Sequence, residues 1–163
     1  MTFKVADLCD DYEDKLQILQ PGMRDYGGNI KFSGHIVTLK LFEDNSLVRE
    51  AVSEPGNGRV LVVDGGGSMR CALLGDILAG KAMANDWAGL IIYGCIRDSD
   101  DISKMSLGVK ALDVMPLKSV KKGIGERDVP VTFMGVTFNP GEYVYCDHDG
   151  VVTSTDNLCC KED

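Results

Sequence analysis

Two periods of apolar residues run through this chain, and the places where one gives way to the other predict its elements. Over residues 5 to 20, Val5, Leu8, Cys9, Tyr12, Leu16 and Leu19 fall on one stripe of a helical grid. Asp10, Asp11, Glu13, Asp14 and Lys15 face away, so the spacing predicts an amphipathic helix that Pro21-Gly22 closes. From His35 to Phe42 the period drops to two, with Val37, Leu39 and Leu41 on one face and Thr38 and Lys40 on the other, the mark of a strand. Glu43-Asp44-Asn45 reads as a turn. Leu47, Val48 and Val52 then recur at helical spacing, predicting a short helix over 46–54 that Pro55-Gly56-Asn57-Gly58 ends.

Val60 to Val63 is an unbroken apolar run, as a strand covered on both faces requires. Gly65, Gly66 and Gly67 turn the chain, Ser68 offers an N-cap, and the proline-free, Ala- and Leu-rich stretch 69–84 predicts a helix. Gly89 to Gly94 is a second buried strand, parallel to the first if the helix crosses over between them. Residues 99–113 are mixed, with a short helix expected near Asp101 to Met105, and 114–130 is turn-rich. Val131 to Phe138 alternates around Gly135. Asn139-Pro140-Gly141 then leads into a hairpin of 142–146 and 151–153. With one clear crossover and a β-rich second half, the pattern predicts a single α/β domain over residues 1–163. Its sheet should be mixed and flanked by helices, unlike a doubly wound nucleotide fold.

A length of 163 residues suffices for one full core. The net charge of -8 argues against direct binding of nucleic-acid backbone. Lys118, Lys121 and Lys122 form the only dense basic cluster, which has no aromatic interleaved and reads as a solvated loop. Small anionic ligands stay open, because one arginine or a metal ion reverses the local field. The six cysteines include no CxxC and no Cys/His grouping, so no structural zinc is expected. The opening MTFKVADLCDDYEDK has no signal-peptide core, and no stretch is apolar for long enough to span a membrane. These features predict a cytoplasmic protein whose cysteines serve as small apolar fillers, with an exposed pair at Cys159-Cys160.

The chemistry concentrates where the second buried strand delivers Arg97 and Asp98 side by side. Arginine presents a rigid fork that matches a carboxylate, and aspartate is a hard oxygen ligand for Mg²⁺. Asp98, Asp100 and Asp101 add negative charge that favours a cation, although a salt-bridged strand end would use the same pair. Asp76 falls within the predicted crossover helix among Ala72, Gly75, Ala79 and Gly80. It reads either as part of a ligand site or as a surface acid beside Arg97 or a subunit contact. The GGGS turn lacks the spacing of both dinucleotide and P-loop motifs, so it is either a helix-start anion site or a tight turn. His35 and His148 lack metal-ligand spacing and read as surface or satisfied residues.

VDGGGSMRCALLGD, NDWAGLIIYGCIRD, GIGERDVPVTFMGVTFNPGEYVYCDHDGVV and the early ADLCDDY resemble the family of regulator of ribonuclease activity A. Relatives of that family include the 4-hydroxy-4-methyl-2-oxoglutarate aldolases, and the match covers nearly the whole chain. The resemblance implies a swivelling β/β/α-type sandwich whose subunits form a homotrimer, sometimes stacked as a hexamer, with clefts between neighbours. It implies one of two functions. The first is a class II, divalent-metal-dependent aldolase. Such an enzyme would cleave 4-hydroxy-2-oxo dicarboxylates to pyruvate and decarboxylate oxaloacetate, with Mg²⁺ as cofactor and Mn²⁺ as the alternative. The second is a non-enzymatic inhibitor that binds an endoribonuclease as its protein partner.

The aldolase pattern, an aspartate, twenty residues, then Arg-Asp, is intact here as Asp76, Arg97 and Asp98. By this resemblance Asp98 holds the metal and Arg97 the substrate carboxylate or enolate oxygen. The backbone of Gly75, Asp76, Ile77 and Leu78 receives the pyruvoyl carboxylate, and Asp76 orients a metal-bound water or Arg97. The flanks NDWAGLIIYG and GIGERDVPVTFMGVTFNPGEYVY are closer to the regulator branch, so the chain joins a regulator-like body to aldolase-like site residues.

Overall fold

The structure is a computed structural model that describes residues 2–159, so Cys160 of the expected exposed pair lies outside the described residues. Helix α1 (Val5–Tyr12) and a 3₁₀ turn (Glu13–Lys15) lead into the short strands β1 (Gln17–Ile18) and β2 (Arg24–Asp25). The central run follows as β3 (Phe32–Lys40), α2 (Ser46–Val52), β4 (Val60–Asp64), β5 (Ala72–Leu74), α3 (Asp76–Ala84), β6 (Gly89–Ile96), α4 (Ser99–Ser103) and β7 (Gly108–Val114). The remaining strands are β8 (Glu126–Arg127), β9 (Val131–Phe133), β10 (Val136–Phe138), β11 (Tyr143–Asp147) and β12 (Gly150–Ser154).

One mixed sheet runs in the order β1-β12-β11-β3-β4-β6-β7-β2, with β5 paired to β6 and β8 to β3. Its centre, β3-β4-β6-β7, is parallel, and the flanking pairs are antiparallel. Alternation within these strands builds two cores. Leu61, Val63, Leu90 and Ile92 face α2 and α3 through Val48, Val52, Ala79 and Ala82. Val60, Val62 and Ile91 face the opposite way, onto Val131, Phe133, Val136 and Phe138 of the β9–β10 hairpin. Phe133 stacks on Tyr93 with ring centroids 4.8 Å apart, which fixes that hairpin to the sheet. Helices, sheet and hairpin thus form three layers, the α/β domain with a mixed sheet that the sequence predicts.

Four local expectations need correction. Residues 69–84 do not form one helix. Ala72–Leu74 is a strand, with Ala72 opposite Cys95 and Leu74 opposite Ile96, and the helix starts only at Asp76. Cys71, Ala72, Leu73 and Leu74 are all buried, and a place beside β6 offers burial on both faces that outweighs the helix preference of Ala and Leu. Ser68 therefore caps no helix and donates instead to Glu43 Oε2 (2.9 Å). The helix expected over 5–20 ends at Tyr12, because Gln17 and Ile18 pair with Thr153 and Val152 of β12. Strand β7 was hidden by Lys110 and Asp113. Lys110 is buried in the sheet and offsets that cost through an ion pair to Asp25 (2.9 Å). Finally, Val131–Phe138 is a hairpin, turned at Met134 (φ 48°) and Gly135 (φ 81°), both in the left-handed region that tight hairpins require.

Gly108 faces the Phe32 ring so closely that an added Cβ would collide with it, and Gly89 abuts the ring from the next strand. Gly108→Ala is expected to destabilise the fold by about 2 kcal/mol through overpacking. Urea unfolding with an unchanged m-value checks this.

Candidate functional site

The parallel strands β3, β4, β6 and β7 all end on one edge of the sheet. The segments leaving that edge carry Asp44 after β3, Arg97-Asp98 after β6 and Lys118–Lys121 after β7. This is where open parallel sheets build their sites. A cleft of about 270 Å³ opens there. Gly75, Asp76, Ile77, Leu78 and Arg97 line one side of it, and Asn45, Arg49, Lys81, Lys118 and Lys121 line the rest. The sequence-derived residues are therefore brought together. Asp98 joins them from a neighbouring hollow lined by Arg97, Ser99 and Met115.

The correction to the crossover helix moves Asp76 to the first turn of α3, with extended Gly75 as N-cap (φ −128°). The first amides of a helix have no intrahelical acceptor, so they are free for an anion. Here the Asp76 amide donates to Asp98 Oδ2 (3.0 Å) and the Ile77 amide to Asp76 Oδ1 (2.9 Å). Asp98 itself sits at the N-cap of α4 with φ 55°, a left-handed conformation that Asp tolerates better than most residues. The Asp76 amide holds the Asp98 carboxyl below its ordinary range. Desolvation opposes this, and the Asp76 side chain and Arg97 add weaker effects in the lowering sense. The Arg97 backbone amide donates to Leu74 O (2.9 Å), which seats the residue between β5 and β6. A methyl group on Gly75 would come within 2.8 Å of Asp98 Oδ2 and 3.4 Å of Arg97 Nε, so glycine is what lets the two side chains lie over the helix start.

Lys118, Lys121 and Lys122 are exposed, as a solvated loop requires, and the backbone of that loop is held in place. Lys118 forms a parallel bridge with Ala72, whose amide donates to Leu117 O (2.7 Å). Asp44 pins the next turn. Its Oδ2 accepts the amides of Lys122 (2.8 Å) and Ile124 (3.1 Å), and its Oδ1 accepts the Ser46 amide (2.9 Å) and hydroxyl (2.6 Å). Burial alone would push the Asp44 carboxyl up, but these hydrogen bonds prevail and hold it at about 2. The sequence reading had Asp44 as an ordinary turn residue. An acid in a turn two positions ahead of a serine was the signal for an Asx turn that closes on the Ser46 amide. No signal in the sequence linked Arg49 or Lys81 to the cleft.

The donor set fits one type of cation. Among the described residues no three His, Cys, Asp or Glu side chains converge, so an all-protein zinc cage is not present there. Asp98 with Asp76 adjoining it supplies hard oxygen, which suits a water-rich Mg²⁺ or Mn²⁺. His35 and His148 are exposed and far from the cleft. His35 Nδ1 contacts Gly141 O (2.9 Å), and His148 Nδ1 lies 3.7 Å from Asp25. Cys71, Cys95 and Cys146 are buried and free, as fillers should be, while Cys9 and Cys159 are half-buried.

The model of the RraA-like family, described as Aldolase/RraA, matches residues 2–153. A relative from Alkalilimnicola ehrlichii, named "Putative 4-hydroxy-4-methyl-2-oxoglutarate aldolase", is 60% identical over 158 residues, covering 97% of this chain and 98% of its own. A solved structure from Geobacillus kaustophilus, described as an S-adenosylmethionine: 2-dimethylmenaquinone methyltransferase, superposes with a TM-score of 0.95 at 52% identity. It covers 99% of this chain and 100% of its own. The Thermus thermophilus RNA-processing inhibitor RraA also superposes with a TM-score of 0.95, at 39% identity, covering 100% and 99%.

Proposed function

We propose that this chain, which belongs to the RraA-like family, uses the cleft at the end of its parallel strands as a metal-dependent lyase site for 2-oxo acids. The observation that carries this reading is the meeting of Arg97, Asp98 and the first amides of α3 over Gly75. That arrangement offers a carboxylate fork, a hard metal ligand and an anion-binding helix start within one cleft. In this reading the substrate carboxylate takes the place of the Asp98 and Asp76 carboxylates on the Asp76 and Ile77 amides, the Leu78 amide joins them, and Arg97 faces the oxygen on which charge develops as the C3–C4 bond breaks. Asp98 would hold the cation, and Asp76, whose amide meets Asp98 Oδ2, would position that carboxylate. The bound Mg²⁺ or Mn²⁺ would supply Lewis-acid stabilisation of the pyruvate enolate. Oxaloacetate decarboxylation needs no base and is the simpler test. Pyruvate should be released from oxaloacetate and from 4-hydroxy-4-methyl-2-oxoglutarate with Mg²⁺ and not with EDTA. Absence of release from both acids would sink the lyase reading.

Gly75→Ala offers a sharper check. The backbone at Gly75 is extended and accepts alanine, but the new methyl group displaces the Asp98 carboxylate. Thermal stability should be retained while metal-dependent turnover falls about tenfold or more.

The comparisons speak more directly for a second reading, that of a ribonuclease regulator. The Thermus relative is described as an RNA-processing inhibitor, and no larger metal-ligand cluster stands among the described residues. Phe42, Ile77, Leu117, Val120 and Ile124 are exposed apolar residues on the cleft-bearing edge. They suit burial against a protein, either a ribonuclease or further copies of this chain in the expected trimer or hexamer. The net charge of -8 makes direct RNA binding unfavourable, so inhibition would act through protein contact. Co-sedimentation with the ribonuclease of the source cell, in the absence of RNA, tests this reading. A methyltransferase role finds less support. The GGGS turn lacks the spacing of the dinucleotide and P-loop motifs.

A further inference from the structure

We infer that Cys95, Met69 and Cys71 form a binding site for a single soft metal ion of the Cu(I) class, behind the strands that carry the cleft and separate from it.

The argument begins with the place of three sulfur atoms. Cys95 lies in β6 and is fully buried. Met69 follows the glycine turn after β4, and its Sδ lies 3.4 Å from Cys95 Sγ. Cys71, also buried, stands directly ahead of Ala72, the residue of β5 that lies opposite Cys95. Neighbouring strands run about 4.8 Å apart and rise about 3.3 Å per residue, which sets the Cys71 backbone about 6 Å from that of Cys95. The thiols also sense one another. Burial chiefly pushes the Cys95 thiol up, and the charges of Asp113 and Cys71 add to it. Asp113 lies opposite Cys95 on the β7 side and makes no ion pair among the described residues. Its negative field favours a cation at the sulfur atoms.

The donors select the ion. Thiol and thioether are soft ligands that suit Cu(I), which is satisfied by two or three of them. Zinc requires four ligands, and among the described residues no cluster of three His, Cys, Asp or Glu side chains supplies them. A buried cysteine by itself is inert, but Met69 is 50% exposed and gives the ion an entrance from solvent. Two metal–sulfur bonds of about 2.3 Å in a trigonal shell hold their sulfurs about 4 Å apart. Met69 therefore has to withdraw by about 0.6 Å, well within the reach of an unbranched side chain with three rotatable bonds. On binding, the ion takes the place of the Cys95 thiol proton, which leaves to solvent. β5 runs on from these sulfurs to Gly75 and Asp76, and β6 to Arg97 and Asp98, so the ion fastens together the two strands that bear the cleft.

The test is anaerobic titration with Cu(I) against the chelator bicinchoninate. Cys9→Ser, Cys159→Ser and Cys160→Ser together provide a background in which the less buried thiols do not compete. That background should take one Cu(I) per chain and melt at a higher temperature when loaded. X-ray absorption should show sulfur neighbours alone, at about 2.3 Å. Met69→Leu and Cys71→Ala should each weaken uptake about tenfold or more, and Cys95→Ala should abolish it. Met69 is half exposed, so Met69→Leu folds like the parent and its loss of affinity is not a loss of structure. Asp98→Asn changes the cleft and should leave Cu(I) uptake as it was. No uptake by the background, or full affinity in Met69→Leu, Cys71→Ala or Cys95→Ala, overturns the inference.

Discussion

Asp98→Asn is expected to lose about 10³-fold in kcat/KM for oxaloacetate and to lose metal affinity, while folding like the parent. The asparagine keeps the shape of the side chain and, like aspartate, tolerates the left-handed backbone at this position. What it removes is the charge that would hold the cation. Alanine is the less clean choice, because it adds backbone strain of about 1 kcal/mol at φ 55°. Arg97→Ala should fail differently. Its guanidinium reaches only the Pro116 carbonyl, at 3.5 Å, and makes no ion pair among the described residues, so removing it leaves no buried charge uncompensated. Pyruvate binding should weaken about tenfold to a hundredfold while Mn²⁺ affinity stays near that of the parent. Arg97→Lys should not restore it, since an ammonium lacks the two-pronged geometry. Equal metal affinity and equal activity in Asp98→Asn and the parent would remove Asp98 from the site.

Asp44→Ala is expected to have the largest effect on stability outside the core, about 3 kcal/mol. Four donors converge on this carboxylate, and alanine leaves the amides of Ser46, Lys122 and Ile124 without it. The loop bearing Lys118 and Lys121 should loosen as well. The pH dependence has a definite sign. The Asp44 carboxyl is held at about 2 in the folded protein, below its ordinary 3.8. Its contribution is therefore fully present above pH 3.8 and disappears as pH falls through about 2, a loss of about 2 kcal/mol. Urea unfolding at pH 6, 4 and 2.5 should show this acid limb in the parent and a shallower one in Asp44→Asn. Parallel acid limbs in the two proteins would show that Asp44 carries no such linkage.

What the sequence settled by itself was whatever local period or punctuation encodes. The unbroken Val60–Val63 run, the alternation from Val37 to Leu41 and the Asn139-Pro140-Gly141 turn each predict an element that is present. A buried strand or a hairpin turn constrains its own residues strongly enough to be read without its neighbours. Asp76, Arg97 and Asp98 were singled out as a motif by the family resemblance, since their spacing alone left Asp76 open between a ligand site and a surface acid.

What only the tertiary structure decided was every choice in which a neighbour overrules a local preference. Cys71–Leu74 became a strand because a place beside β6 was open to it, and that choice moved Asp76 to the N-terminus of α3, where its amide meets Asp98. Strand β7 escaped notice because Lys110 breaks its apolar pattern, and the Asp25 partner that makes its burial tolerable lies 85 residues away in sequence. Arg49, Lys81, Lys118 and Lys121 come from three separate segments and share a cleft only once the parallel strands end on one edge. Hydrophobic period is a local property of the chain, whereas an ion pair, a strand pairing or a charged cleft depends on residues distant in sequence that only folding brings together.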